Sequence, residues 1–269
     1  MANTTLSISI MSGKGGVGKT NIALNLAYAL HQSGFSALLM DCDMGLANLD
    51  VLLGITPEGN IQDALLGNAA LEDVLHKVEP QGFDVLPAAS GVPELAEMDS
   101  DMRALLLNRL NPLLGRYDFV FMDLGAGITE MVQSFALMAA VRVIVITPEP
   151  TSLTDSYALI KVLSSRYNVR DFMVLVNQVE SKKEEEEQTF TRLYAACQRF
   201  LGIEPVLLGT VRNDPKLMEA VRRQEPLMRW SAGSPAGVDL QNIAARLQRV
   251  RLTMLNYIEK KDILSHTAQ

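Results

Sequence analysis

The sequence predicts an α/β protein: a single doubly wound, mainly parallel sheet with helices on both faces. Three observations carry this expectation. Short apolar runs alternate with longer helical patterns from one end of the chain to the other, the order of repeated βαβ units. Several runs are apolar throughout, as in Val143-Ile144-Val145-Ile146, which suits a strand covered on both faces. With 269 residues and 48% apolar content, the chain is long enough to bury a sizeable core. No internal repeat or Gly/Ser/Pro-rich linker divides it, so residues 1–269 read as one domain with a C-terminal helix over about 238–260.

The elements follow in order. Leu6–Met11 is an apolar strand, and Lys19–Ser33 carries Ile22, Ala23, Leu26 and Ala27 at helical spacing. Strands are expected at Ser36–Met40 and Phe83–Pro87, then a helix at Asp101–Gly115 and a strand at Tyr117–Met122. A helix at Thr129–Ala139 leads to the strand Val141–Thr147, and a helix at Ser152–Arg166 to the strand Phe172–Val176. The charged run Lys182–Glu187 suits the solvated start of a helix, whose apolar pattern is clearest over Thr189–Phe200. A short strand at Val206–Leu208 precedes the last helix, Val238–Ile258.

The strongest local signal is Gly13-Lys14-Gly15-Gly16-Val17-Gly18-Lys19-Thr20, which fits G-x-x-x-x-G-K-[ST] between a strand and a helix that continues at Asn21. Glycines let successive backbone N–H groups curl around an anion, and the helix adds its positive end. Lys19 can then reach the β- and γ-phosphates of a nucleotide, while the Thr20 hydroxyl suits Mg²⁺. Lys14 is a departure from a plain phosphate loop. A second lysine at this position adds charge where a transferring phosphoryl group becomes negative, or else it is a solvent-facing loop lysine.

Acidic residues stand where such a site needs them. Asp41 and Asp43 sit at alternate positions past the second strand, on the edge that faces ligands in an open α/β sheet. The run Tyr117-Asp118-Phe119-Val120-Phe121-Met122 ends in Asp123 and continues into Leu124-Gly125-Ala126-Gly127, a turn suited to sensing a γ-phosphate. An acid at a strand end also serves as a helix cap; beside the phosphate loop, the metal-side reading is the stronger.

Composition excludes other classes. A net charge of -7 gives the chain no basic character for coating nucleic acid, and no specific nucleic-acid partner is expected. Arg212, Lys216, Arg222, Arg223 and Arg229 form the one modest basic cluster. Two cysteines, Cys42 and Cys197, are too few for a disulfide framework and poorly placed for a shared iron–sulfur cluster. No run approaches the length needed to span a bilayer, and nothing resembles a secretory leader, so a cytoplasmic protein is expected.

Lys14 within the loop, the Asp41-x-Asp43 pair and the Asp123-x-Gly125-Ala126-Gly127 turn together resemble the MinD/ParA family of deviant-Walker-A ATPases over nearly the whole chain. Gly45–Gly54, Leu86–Gly91, Asp123–Ile128, Pro148–Lys161 and Ser234-Pro235-Ala236 resemble the FlhG/FleN group, the members that control flagellar number and placement. The resemblance implies slow, regulatory ATP hydrolysis with Mg²⁺ and a homodimer that closes on ATP. Catalytic roles fall to Lys14, reaching across the dimer, to Lys19, and to Asp43, orienting the hydrolytic water. Gly13 through Asn21 would bind nucleotide, while Thr20, Asp41 and Asp123 would serve the metal. Adenine contacts are implied at Asn177 and around Val211, Asp214 and Pro215, and Glu149 is a candidate for the nucleotide or dimer surface. Implied partners are an FlhF-type GTPase, flagellar switch proteins or a flagellar transcription activator. Alternatives are a cell-division MinD, a DNA-partitioning ParA, and an ATP-dependent metabolic enzyme on the same scaffold.

In the last helix Leu240, Ile243, Ala244, Leu247, Val250, Met254 and Ile258 recur at helical spacing, with Arg246, Arg249, Arg251, Lys260 and Lys261 between and after them. Core packing is expected for Leu240–Val250. The segment from Arg251 onward suits either packing or peripheral contact with the inner face of the cell membrane.

Overall fold

The computed structural model describes residues 4–43, 49–65, 69–79, 83–88, 110–180 and 183–258. Among the described residues eight strands form one sheet: β1 (Leu6–Ser12), β2 (Ala37–Cys42), β3 (His76–Glu79), β4 (Phe83–Leu86), β5 (Phe119–Ala126), β6 (Val141–Ile146), β7 (Met173–Val179) and β8 (Val206–Arg212). Their spatial order is β3-β4-β2-β5-β1-β6-β7-β8, and every neighbouring pair is parallel except β3 with β4. The doubly wound, mainly parallel sheet expected from the strand pattern is the one observed.

Helices cover both faces. Ile22, Leu26 and Leu30 of α1 (Lys19–Gln32) pack with Leu240, Ile243 and Leu247 of the last helix on one core, over Ile8, Ile10, Phe119 and Phe121. The opposite core holds α4 (Glu130–Met138), α5 (Pro150–Tyr167) and α6 (Lys183–Leu201) through Phe135, Leu159, Leu163 and Cys197, over Val120, Met122 and Ile144. Side chains alternate across the sheet, so consecutive β5 residues feed opposite cores and the strand reads as apolar throughout.

The short elements lacked a sequence signal. These are α2 (Leu49–Leu53), α3 (Ile61–Leu65), α7 (Pro215–Arg223) and α8 (Leu227–Trp230), with α9 (Pro235–Ile258) completing the chain order. Strand β3, His-Lys-Val-Glu, is an antiparallel edge strand, only partly buried, so it carries no apolar run. Of the helix expected at 101–115, residues 101–109 lie outside the described residues, as do 44–48 and 89–91 of the family-like stretches, Lys182, and Lys260 and Lys261; residues 110–114 are helical.

Helix α9 begins three residues before the expected Val238 because its first turn is capped. The Asp214 carboxylate accepts from Ala236 N at 3.1 Å, and Ser234 Oγ accepts from Gly237 N at 3.2 Å. Leu240, Ile243, Ala244 and Leu247 are buried as expected. Arg251 is also buried, and it docks the helix. It donates to Thr4 O and Asp118 O at 3.0 and 3.1 Å and to Asp118 Oδ1 at 2.7 Å, with its guanidinium over the Phe35 and Phe119 rings. Exposure rises immediately after it, with Leu252 at 65%. Among the described residues no helix is long and apolar enough to cross a membrane.

Candidate functional site

From β1 the chain runs outward in both directions, to β5 and β2 on one side and to β6, β7 and β8 on the other. The carboxyl end of β1 is therefore a topological switch point, where open α/β sheets bind ligands. The glycine-rich loop starts there. Gly13 has no room for a side chain, since a Cβ would stand 2.1 Å from the backbone carbonyl carbon of Asp155 on α5. Gly18, the N-cap of α1, has φ +89°, and a Cβ there would meet Asn177 Nδ2 at 2.6 Å. The loop is also tied from below. Ser12 Oγ donates to Lys14 O at 2.6 Å and Asn177 Nδ2 to Val17 O at 2.8 Å.

Lys19, in the first turn of α1, is buried; desolvation lowers its pKa, opposed by the Asp123 and Asp43 carboxylates. The β2–β5 register sets Asp41 directly beside Asp123, both 2% exposed. Burial, then the Asp123 charge, pushes Asp41 up to about 7, although its Oδ1 accepts from Asp43 N at 3.0 Å. Burial likewise raises Asp123 to about 6, offset by a hydrogen bond with Thr20 and by Lys19. Asp123 Oδ1 has no hydrogen-bond partner among the described residues.

Asp43 lies against the carboxyl end of β5, where a Cβ on Gly125 would be 3.2 Å from its Oδ1. Above these groups opens a cleft of about 890 Å³. It is lined by Gly15, Gly16, Gly18, Lys19, Thr20 and Asn21 of the phosphate loop and α1, by Asp43 beside Gly125 and Ala126, and by Thr129–Val132, with Val51 and Leu52 also lining it. Loop amides, a lysine and a hydroxyl on one side and a carboxylate on the other can hold a polyphosphate and an attacking water.

The structure brings Gly15, Gly16, Gly18, Lys19, Thr20, Asn21 and Asp43 to the cleft and sets Asp41 and Asp123 beneath it. The other named residues are elsewhere. Lys14 turns away from the cleft lining and pairs with Glu149, and Nζ also donates to Thr151 Oγ1 at 3.1 Å. Val211 is a core residue, Asp214 caps α7 by accepting from Lys216 N at 2.9 Å, and Pro215 is the exposed first residue of that helix. Asn177 sits under the loop with Oδ1 buried and unpartnered among the described residues.

Sequence reasoning gave Thr151 and Thr129–Val132 no place at the site, because only packing sets them beside the loop. Most of the basic cluster is paired: Arg212 with Asp239, Arg223 with Glu219, and Arg229 with Glu79 and Glu225. Cys42 and Cys197 are buried free thiols, and no group of three or more His, Cys, Asp or Glu arranged for a metal occurs among the described residues.

The fold and this loop, with its buried carboxylates, define a P-loop ATPase. The AAA domain family matches residues 5–173. MinD from Pyrococcus horikoshii, solved with Mg-ADP, superposes with a TM-score of 0.74 at 25% identity, covering 91% of this chain and 97% of that one. The chain belongs to the MinD/ParA family of ATPases, and it binds and hydrolyses adenine nucleotide. Among individual relatives, it is 36% identical to the antiactivator FleN of Pseudomonas aeruginosa over 240 residues, 89% of this chain and 85% of FleN. It is 35% identical to the flagellum site-determining protein YlxH of Helicobacter pylori over 245 residues, 90% of this chain and 82% of YlxH.

Proposed function

We propose that this protein is an ATP-operated switch for flagellar number or placement: ATP brings two copies together, and slow hydrolysis releases them. The observation that carries the reading is the cleft itself. One carboxylate and a glycine turn face a lysine-bearing phosphate loop, so a γ-phosphate would touch segments able to move when it leaves. Similarity to FleN and YlxH supports the flagellar setting.

Within this reading the loop amides and Lys19 hold the β- and γ-phosphates, and Asp43 orients the attacking water and takes up its proton. Thr20, Asp41 and Asp123 suit Mg²⁺: a buried, unpartnered Asp123 oxygen next to a threonine hydroxyl is a group awaiting a cation or its water. Mg²⁺, when bound, supplies positive charge between the phosphates. Asn177 suits adenine through its unpartnered Oδ1, an acceptor for an exocyclic amine. An adenine role around Val211, Asp214 and Pro215 would fall to backbone atoms, since the Val211 side chain is in the core and the Asp214 carboxylate caps two helices.

Lys14 acts on the partner copy's nucleotide once the dimer closes. Peripheral membrane contact, if it accompanies assembly, belongs to the chain beyond Arg251, because Arg251 itself is committed to Asp118. The partner that reads the ATP state is a flagellar transcription activator, the reading favoured by FleN's description as an antiactivator. The test compares Lys14→Ala with Asp43→Ala by light scattering in saturating ATP. Both variants lose turnover; Asp43→Ala stays dimeric and Lys14→Ala does not. A monomeric Asp43→Ala would overturn the roles of both residues.

A further inference from the structure

Gln224 ends α7 in a backbone conformation that suits another residue. It is left-handed, with φ +55° and ψ +41°, the helix-ending geometry that glycine fits best. What glycine lacks is the side chain, and here the side chain reaches α2. Gln224 Nε2 donates to Val51 O at 2.8 Å, and a Cβ on Gly54, itself at φ +62°, would stand 3.1 Å from the Gln224 Cβ. Val51 O also accepts from Gly54 N at 3.3 Å, so the Gln224 amide closes onto the carboxyl end of α2. The base of this contact is fixed. Asp214 caps the start of α7 and ties it to α9, while Leu217 and Ala220 pack on the core.

Helix α2 needs such a tie, because five residues are far too few for a helix to be stable without tertiary contacts. Its first residue is held at the other end: Leu49 N donates to the Asp41 carboxylate, and the Leu49 side chain is buried in the core. Val51 and Leu52 line the cleft, and only five positions, 44–48, separate Leu49 from Asp43. The place of α2 therefore limits where the chain leaving Asp43 can run.

We propose that Gln224 is a positioning residue for ATP hydrolysis: its amide clasps the carboxyl end of α2 and so holds Val51, Leu52 and the chain leading back to Asp43 at the cleft. The catalytic consequence rests on the role given to Asp43 above; the clasp does not. Gln224 does not line the cleft, so it acts on turnover and leaves nucleotide affinity alone.

Two variants test this. Gln224→Met keeps the length of the side chain and removes the donor, whereas Gln224→Gly removes the side chain and relieves the left-handed backbone. Hydrogen exchange followed by mass spectrometry reads the clasp in nucleotide-free protein, through a peptide covering residues 49–55, where Gly54 N and Ile55 N bond back to Val51 O and Asp50 O. One hydrogen bond corresponds to about a 2- to 12-fold change in a local opening equilibrium, and exchange is expected to speed by about that factor in both variants. Wild-type exchange rates in both overturn the clasp. Steady-state ATPase assays, at a protein concentration where specific activity has levelled off, read the consequence. There kcat is expected to fall about 2-fold or more in both variants, with unchanged affinity for the non-hydrolysable analogue AMPPNP. The Tm of Gln224→Gly stays close to wild type, because backbone relief offsets the lost bond. An unchanged kcat, or a loss of affinity in step with Tm, overturns the positioning role. An Asp43→Ala variant with wild-type turnover overturns the role of Asp43 instead, and the clasp is then judged on hydrogen exchange alone.

Discussion

Asp41→Asn should stabilise the nucleotide-free protein, and the gain should depend on pH. In the unfolded chain this carboxyl titrates near 3.8; in the fold, burial and the neighbouring Asp123 push it up to about 7. Between those values the unfolded state has lost a proton that the folded state still holds. Stability therefore falls as pH rises through this window, and the full cost is present above about 7. A shift of this size corresponds to roughly 4 kcal/mol. The amide keeps an oxygen to accept from Asp43 N but leaves an N–H₂ group to be desolvated, which costs about 1 kcal/mol or more. The net gain at pH 8 is about 3 kcal/mol, which raises Tm by about 6–12 °C for a protein of this size. Thermal or urea denaturation without nucleotide or Mg²⁺, at pH 4, 6 and 8, measures it. A variant less stable than wild type at pH 8, or a gain as large at pH 4 as at pH 8, would refute this account of the site. The same substitution should lower ATPase activity, since a strained buried carboxylate is kept for function rather than stability.

Gly13→Ala should destabilise by about 3 kcal/mol or more through overpacking against the α5 backbone, and should abolish binding of a fluorescent ATP analogue; a normal melting curve would contradict the close approach. Arg251→Met should cost about 2–3 kcal/mol, because Asp118 loses its cation and Thr4 O its donor, with Tm as the readout. Truncation after Leu255 should leave Tm nearly unchanged but abolish any ATP-dependent sedimentation with anionic lipid vesicles; equal sedimentation of the truncated chain would exclude the tail as the anchor.

The phosphate loop was legible in the chain because its function is local: contiguous glycines, a lysine and a threonine supply the anion cradle whatever surrounds them. The sheet was legible because strands covered on both faces must be apolar throughout, and Val143–Ile146 and Phe119–Met122 are. Asp41, Asp43 and Asp123 could be named from their positions at strand ends. Their adjacency is another matter: Asp41 lies beside Asp123 because β5 inserts between β2 and β1, an order that no local pattern encodes. The raised pKa values follow from that order and from burial. Tertiary packing also decided the fate of charged residues that look alike in sequence. Arg251 reads as a surface arginine on an amphipathic helix, but the fold sets Asp118 and Thr4 O within its reach. Lys14 reads as a residue pointed at phosphate, yet α5 reaches the loop at Gly13 and offers Glu149. Side-chain chemistry and periodicity are properties of neighbours along the chain, whereas partners, burial and hence charge state are properties of neighbours in space.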